Sequence, residues 1–386
     1  QRYRKEGRDK DAVPLVQFRQ ECRAHAEQWI DVQREEFKRL GVTGDWDNPY
    51  TTMSYAAEAQ IVRELSKFLL DGSLYRGSKP VMWSPVEKTA LAEAEIEYHD
   101  HTSTTIWVRF PIAKSDLDEL SGAAVLIWTT TPWTIPGNRC ICYGEGIAYH
   151  LVEVQEVAEG SLAQKGERFV VAGKLMDTVA AECGITAWRC VVQDINTEDL
   201  AASLCAHPLK ADGYDFAVPL IPSSHVTTEQ GSGFVHTAPG HGAEDFEAVM
   251  AYNSRLGQDG DPRSAIEVPQ TVDGDGTYFG QVPLFAGQHV YKADDSVAGA
   301  LQQAGGLLAR GKLVHSYPHS WRSKAPLIFR NTPQWFISMS TRGLREKALT
   351  AIDEVRWVPA TGQRRIASMI ENRPDWVVSR QRIWGV

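Results

Sequence analysis

Cysteine is scarce in this sequence, six residues in 386, and their spacing excludes two common uses of the residue. Cys140-Ile-Cys142 and Cys183-x6-Cys190 lack the CxxC spacing of zinc sites, and so few thiols do not make a disulfide framework. Reduced cytosolic thiols are the expectation. Long apolar runs are missing too. None approaches the ~18 residues of a membrane-spanning helix, and the opening QRYRKEGRDKD does not read as a signal peptide. The initiator methionine is absent, so the chain is expected to begin inside a longer protein. There is no fixed-period repeat and no low-complexity segment.

What is present fits an ordinary globular protein. Hydrophobic residues make up 43% and charged ones 23%, enough for sizeable cores. At roughly 150 residues per domain the length implies two or three domains. The net charge of −9 is unevenly spread. Residues 310–386 carry 14 Lys and Arg against 5 Asp and Glu, while the preceding 309 carry 26 against 44. Such a basic segment on an acidic body suits contact with a polyanion, or is simply a solvated basic face.

Texture divides the chain. Residues 15–40 read as a helix with Phe18, Cys22, Trp29, Val32 and Leu40 broadly on one side, ended by Gly41. GVTGDWDNPY reads as a loop and residues 55–71 as a second helix. LAEAEIEY (91–98) alternates like a strand with Glu93, Glu95 and Glu97 on one face. From about 101 to 300, short apolar runs such as STTIWVRFPI, AAVLIWTTT and SGFVHTAP alternate with Gly, Pro and Asp, the pattern of a β-barrel-like domain. Helical pattern returns near 293–308, and the remainder mixes strands with helices around 343–351 and 363–371.

Two clusters carry chemistry. In LIWTTTPWTIPGN (126–138), Thr129, Thr130, Thr131 and Thr134 follow an apolar strand and precede Pro136, Gly137 and Asn138. The threonines either continue the strand, as β-branched residues do, or rim a pocket for a polar ligand or a water. In GSGFVHTAPGHGAEDF (231–246), His236 stands where a phosphate-cradling GxGxxG would need its third glycine. His236, His241, Glu244 and Asp245 match no standard metal spacing. A helix start with acids in its first turn is expected there, alongside a binding loop shaped by Gly and Pro.

Longer stretches resemble a known family. GVTGDWDNPYTTM (41–53), YRGSKPVMW with TALAEAEIEY (75–98), WTTTPWTIPGN, GSGFVHTAPGHGAEDF, YPHSWRSKAPLIFRNTPQWFISM (317–339) and RPDWVVSRQRIWGV (373–386) are together similar to the isoleucyl-tRNA synthetases, class I aminoacyl-tRNA synthetases. The match is collinear over nearly the whole chain. The leucine and valine relatives typically carry TTRP-type sequence where this chain has TTTPWT, which disfavours those readings.

The resemblance implies an α/β and β fold. Residues 1–100 would be part of a Rossmann-like catalytic domain, 101–300 a β-barrel-like editing insertion, and 301–386 a basic return to the catalytic domain. It places the ATP-binding HIGH and KMSKS motifs outside these residues, so ATP and Mg belong to the full enzyme. No isoleucine-dependent pyrophosphate exchange is expected of this chain. Many relatives carry a Cys pair in the stretch reading WSPVEK here; its absence argues against zinc.

Within the insertion, the resemblance assigns Asp245 to the substrate α-ammonium. It assigns His236 to the wall of the side-chain pocket. Thr129, Thr130, Thr131 and Thr134 would contact the terminal adenosine or aminoacyl group and orient water. Asn138 closes that motif, and Trp128 and Trp133 flank it, chiefly as packing. Asp45, Asp47, Pro49, Gln381 and Trp384 would be remnants of the synthetic site. The implied partners are the tRNA(Ile) 3′ end with isoleucine or valine, for a cytoplasmic monomer without a membrane role. A module that only docks tRNA remains an alternative.

Overall fold

A computed structural model describes residues 2–9, 12–259 and 264–381. The chain divides into two compact units, one of residues up to Gly77 and from Gln334 onward, the other Ser78–Pro333. The elements run α1 (Arg2–Lys5), α2 (Leu15–Arg39), α3 (Tyr55–Leu70), β1 (Leu74–Ser84), β2 (Thr89–Ala90), β3 (Ile96–Lys114), β4 (Ala124–Thr129), β5 (Cys140–Tyr143), β6 (Tyr149–Val157) and β7 (Arg168–Ala172). After them come α4 (Met176–Glu182), β8 (Ile185–Val192), α5 (Thr197–Ala202), β9 (Leu204–Ala206), β10 (Ala217–Pro222), β11 (Phe234–Thr237) and α6 (Ala243–Asp259). The series closes with α7 (Ala293–Gln303), β12 (Leu307–Ser320), β13 (Ile328–Ile337), α8 (Leu344–Glu354), α9 (Thr361–Glu371) and β14 (Trp376–Val377).

In the first unit, α2 and α3 are the two helices expected before residue 71. Ser54 caps α3 by accepting from the Ala57 N–H at 3.3 Å, satisfying one of the helix's otherwise unpaired donors. Phe336 and Ile337 of β13 pair with Val377 and Trp376 of β14.

The second unit is built on a large mixed sheet in the order β12-β3-β9-β10-β5-β11-β4-β7-β6-β8, with β3 also paired to β4. The apolar runs of the sequence become its core. Ile106, Val108 and Phe110 of β3, Val125, Leu126 and Ile127 of β4, and Ile141 of β5 are fully buried. β4 is apolar at five successive positions because both its faces are covered. Its polar end, Thr129, is therefore a departure that needs a local reason.

β11 supplies the second half of that reason. It runs parallel to β4, with Val235 opposite Trp128, and antiparallel to β5, with His236 opposite Ile141. The carboxyl ends of β4 and β11 thus emerge side by side, where the backbone stops pairing and side chains become available.

The glycines before β11 make this threading possible. Gly233 has φ +83°, and a Cβ there would run into the Cβ of Ala172. Its carbonyl accepts from the buried Tyr149 hydroxyl at 2.6 Å. Neighbouring Ser232 gives its hydroxyl to the Leu126 carbonyl and accepts the Ala172 N–H at 2.8 Å through its own carbonyl. Gly233→Ala combines a left-handed backbone penalty with overpacking, so a loss of about 2–5 kcal/mol is expected. Denaturant titration checks it, and a variant within 1 kcal/mol of wild type would contradict this account of the turn.

One local expectation fails. Glu93, Glu95 and Glu97 do not share one strand: Glu93–Glu95 form a 3-10 turn and β3 begins at Ile96. The Glu95 carboxylate accepts from the Ala92 N–H at 2.9 Å, and the Glu95 N–H donates to the Ala92 carbonyl at 2.9 Å. This side-chain bond closes a turn that the alternating pattern conceals.

Candidate functional site

Beyond Thr129 the chain tightens into a 3-10 turn, Pro132–Gly137. Pro132 at its first position has no N–H to leave unpaired, and Thr134 N–H closes the turn onto the Thr131 carbonyl at 2.9 Å. The turn gathers the hydroxyls. Thr129 Oγ1 accepts from Thr131 N–H at 3.1 Å, and the Thr131 hydroxyl lies 3.2 Å from that of Thr129 and 3.3 Å from that of Thr134. Thr130 and Thr131 are half-buried while Thr129 and Thr134 are buried, so the first pair is the more accessible of the two.

The two sequence clusters meet at His236. Its Nε2 lies 3.0 Å from Thr134 Oγ1 and its Nδ1 lies 2.8 Å from Asn138 Nδ2. The ring's tautomer follows from its partners. Asn138 Nδ2 also donates to the Cys140 carbonyl at 2.9 Å, and turning the amide over would set oxygen against oxygen. Nδ2 can only donate, so Nδ1 accepts and the proton sits on Nε2. Nε2–H then donates to Thr134, whose own hydroxyl donates to the Thr131 carbonyl at 2.8 Å. Burial pushes the His236 pKa down to about 3, with the nearby His207 and His241 lowering it further. The ring is therefore neutral at any physiological pH.

Asp245 does not stand on an exposed loop, as a lone acid among glycines suggests. It is half-buried in the first turn of α6, and its Oδ2 accepts from the Ala238 N–H at 2.8 Å. Burial raises its pKa to about 6, against the opposing pull of that backbone bond. Gly242, just before α6, allows this fold-back, since a Cβ there would lie 2.9 Å from the Asp245 carboxyl carbon.

His241 is a brace. Its Nδ1 meets the Phe329 carbonyl at 2.9 Å, its Nε2 meets the Thr271 hydroxyl, and its ring packs edge-on to Trp133 at 5.0 Å. Trp128 is half-buried, its ring 6.3 Å from Trp107. A separate cleft of about 640 Å³ beside α6 is lined by residues including Ser223, His225, Glu244 and Arg255, and by none of the threonines, His236 or Asp245.

Among the described residues, no group of three or more His, Cys, Asp and Glu is placed to hold an ion. In the WSPVEK stretch the Glu87 carboxylate accepts from the hydroxyls of Ser84 and, at 3.2 Å, Ser320. One carboxylate among hydroxyls does not match the thiolate and imidazole set that zinc selects, so these residues do not fit a zinc site.

The residues expected to be synthetic-site remnants belong to the first unit. Asp45, Asp47 and Pro49 are exposed, with Asn48 Nδ2 donating to Asp45 Oδ2 at 3.0 Å. Gln381 Nε2 donates to Gln334 Oε1 at 2.8 Å. Trp384 lies outside the described residues.

Two contacts had no sequence signal. The Trp133 N–H donates to Asp294 Oδ1 at 3.2 Å across 161 positions, and the buried Tyr278 hydroxyl donates to the Trp133 carbonyl. ADDSV reads only as a helix start, and nothing in its spacing points to Trp133.

The sequence profile of class I tRNA synthetases (I, L, M and V) matches residues 1–386. The chain is 50% identical over 386 residues to the isoleucine–tRNA ligase of Pelagibacter ubique and 52% identical over 408 aligned positions to that of Bradyrhizobium diazoefficiens. All of this chain is covered in both cases, but only 41% and 40% of those relatives. Among solved structures, the P. knowlesi cytosolic leucyl-tRNA synthetase editing domain aligns at 10% identity with a TM-score of 0.39, covering 57% of this chain and 100% of that one.

Proposed function

Since the chain belongs to the class I tRNA synthetases of the I, L, M and V group, we propose that it carries the hydrolytic editing site of an isoleucine–tRNA ligase. The chain spans about 40% of the length of the relatives it matches. We therefore assign to the whole enzyme the attachment of isoleucine to tRNA(Ile) with ATP and Mg, in the cytoplasm and as a monomer. Residues 1–100 and 301–386 are read as Rossmann-like catalytic parts and 101–300 as the editing insertion. Double pairing of β3, with β9 and with β4, supports reading that insertion as barrel-like.

The observation that carries the proposal is the joining of the Thr-rich turn to β11 through Asn138, His236 and Thr134. It puts rim hydroxyls, a neutral ring and a carboxylate in the two segments that the family resemblance assigns to one pocket. The need for such a site is physical. A hydrophobic pocket separates substrates differing by one methylene by only about 1–3 kcal/mol, and the established worked case of this limit is the isoleucine enzyme itself, at about 150-fold over valine. A second site that admits valine and excludes isoleucine supplies the remaining accuracy.

In this reading Asp245 holds the α-ammonium of the aminoacyl ester by a charge-assisted bond, indifferent to the side chain. His236 closes the pocket beyond valine. It is neutral, so it does not repel the ammonium. Thr130 and Thr131 at the rim hold the terminal adenosine and a water, with Thr129 and Thr134 fixing their orientation. Neutral hydroxyls scarcely deprotonate water. The rate rests on positioning and on dipoles aimed at the developing charge, with the terminal ribose hydroxyl of the tRNA as an acceptor or donor for the attacking water.

The pH dependence tests the assignment. Ammonium binding needs ionised Asp245, whose pKa is raised to about 6. Hydrolysis of Val-tRNA(Ile), measured as kcat/KM, should therefore bend downward below pH 6 and lie about tenfold lower at pH 5 than at its plateau. The sign for stability is opposite. A carboxyl whose pKa is raised by folding binds protons more tightly in the folded state, so through this group the fold gains stability as pH falls from 7 towards 4. Unfolding driven by Asp245 cannot account for the lost activity. A profile flat from pH 7 to 5, or a bend that persists unchanged in Asp245→Asn, would refute the ammonium role.

A further inference from the structure

The hydroxyl-bearing turn is held in place by groups that come from far along the chain. Within Pro132–Gly137 the peptide units on either side of Trp133 take partners outside the turn. Its N–H donates to Asp294 Oδ1 at 3.2 Å, in the first turn of α7, and its carbonyl accepts from the Tyr278 hydroxyl. Tyr278 is buried, 2% exposed, and Asp294 is half-buried. The indole of Trp133 adds a third hold, packing edge-on to His241 at 5.0 Å.

This clamp sits between the two hydroxyls that matter most. Thr131 and Thr134 flank Pro132 and Trp133, and Thr134 is the residue that meets His236 at 3.0 Å. A shift of the Trp133 peptide would carry Thr134 off the ring and turn Thr131 away from the rim. Neither Asp294 nor Tyr278 has a place in the pocket described above. We propose that Asp294 and Tyr278 are positioning residues that set the hydroxyls of Thr131 and Thr134 by clamping the Trp133 peptide. The inference rests on the editing reading of the same site and adds to it the source of its preorganisation.

The clamp works through an acceptor oxygen, not through charge. Either ionisation state of the Asp294 carboxyl presents an oxygen to the Trp133 N–H, and an asparagine amide oxygen does the same. Asp294→Asn should therefore keep the turn in place and Asp294→Ala should not. A displacement near 1 Å at reacting groups lowers rate by about 10²-fold. Asp294→Ala is accordingly expected to lower kcat for Val-tRNA(Ile) hydrolysis by about 10- to 100-fold, with KM within about threefold, because Asp245 and Thr130, which the clamp does not hold, still bind substrate. Tyr278→Phe, which removes one hydroxyl and no volume of consequence, should give a smaller loss of the same kind.

The experiment measures kcat and KM for the full chain and for Asp294→Ala, Asp294→Asn, Tyr278→Phe and Asp245→Ala, with a melting curve for each. A kcat loss in folded Asp294→Ala, restored in Asp294→Asn, is the expected result. Wild-type kcat in a folded Asp294→Ala, or equal losses in Ala and Asn, would overturn the clamp while leaving the editing site standing. If Asp294→Ala fails to fold, Tyr278→Phe decides: a folded variant with unchanged kcat overturns the clamp. An inactive wild type would instead strike at the editing reading itself.

Discussion

Asp245→Ala is expected to lower hydrolysis of Val-tRNA(Ile) by about 30- to 5,000-fold, the consequence of losing a contact with a charged group worth about 2–5 kcal/mol. The variant should remain folded. Asp245 is half-buried and accepts the backbone N–H of Ala238 at 2.8 Å, so its removal leaves one backbone donor without this partner. Asp245→Asn separates charge from structure. Its amide oxygen can still take the Ala238 N–H, but it offers no negative charge to an ammonium. Both variants should therefore lose activity alike. If Asn restores hydrolysis, the carboxylate serves the loop and not the substrate. Single-turnover deacylation with either variant decides the matter.

His236→Ala should change which substrate is cut. The ring is 6% exposed and fills space between β11 and the Thr-rich turn. Its loss opens room for several heavy atoms, whereas isoleucine exceeds valine by one methylene, worth only about 0.8 kcal/mol on burial. Discrimination by steric overlap disappears with the wall. The variant is expected to hydrolyse correctly charged Ile-tRNA(Ile), which the wild type should spare, and to keep part of its activity on Val-tRNA(Ile). A stability loss of about 2–4 kcal/mol accompanies it, because Asn138 Nδ2 loses a partner and a cavity remains. Equal decline on both substrates in a folded protein would make His236 a structural histidine.

The two clusters were legible because each is a contiguous run. An apolar strand that ends in threonines and a Pro-Gly turn marks a strand end where hydroxyls collect, and His236 sits in a glycine-shaped approach to a strand. The helices Leu15–Arg39 and Tyr55–Leu70 were equally readable from spacing. The remainder depended on long-range pairing. Nothing local says that Asn138 donates to Nδ1 of the His236 ring and fixes its proton, since their link spans 98 positions. Nothing local ties Asp294 to Trp133 either. The half-burial of Asp245 has no local signal, because it comes from the chain folding back over Gly242 at the start of α6. The Glu93–Glu95 turn hid behind an alternation that a strand would share, and only a side-chain bond to Ala92 distinguishes them.

The pairing of β4 with β11 explains why two runs about a hundred residues apart come into contact. Parallel neighbours present their carboxyl ends at the same edge, so residues just past each strand meet without any further device. The network through Asn138, His236 and Thr134 then locks their relative position. Preorganisation of this kind suits a reaction in which no side chain is a strong base, because the donors need not rearrange as charge develops.

The most direct test is the ratio of two rates. Wild-type chain is mixed with tRNA(Ile) carrying valine and, separately, with tRNA(Ile) carrying isoleucine, and deacylation is followed against the spontaneous rate. Hydrolysis of the valyl ester well above background, with the isoleucyl ester at background, is the predicted result. Valyl and isoleucyl esters both decaying at the spontaneous rate, or both cleaved at the same enhanced rate, would contradict it.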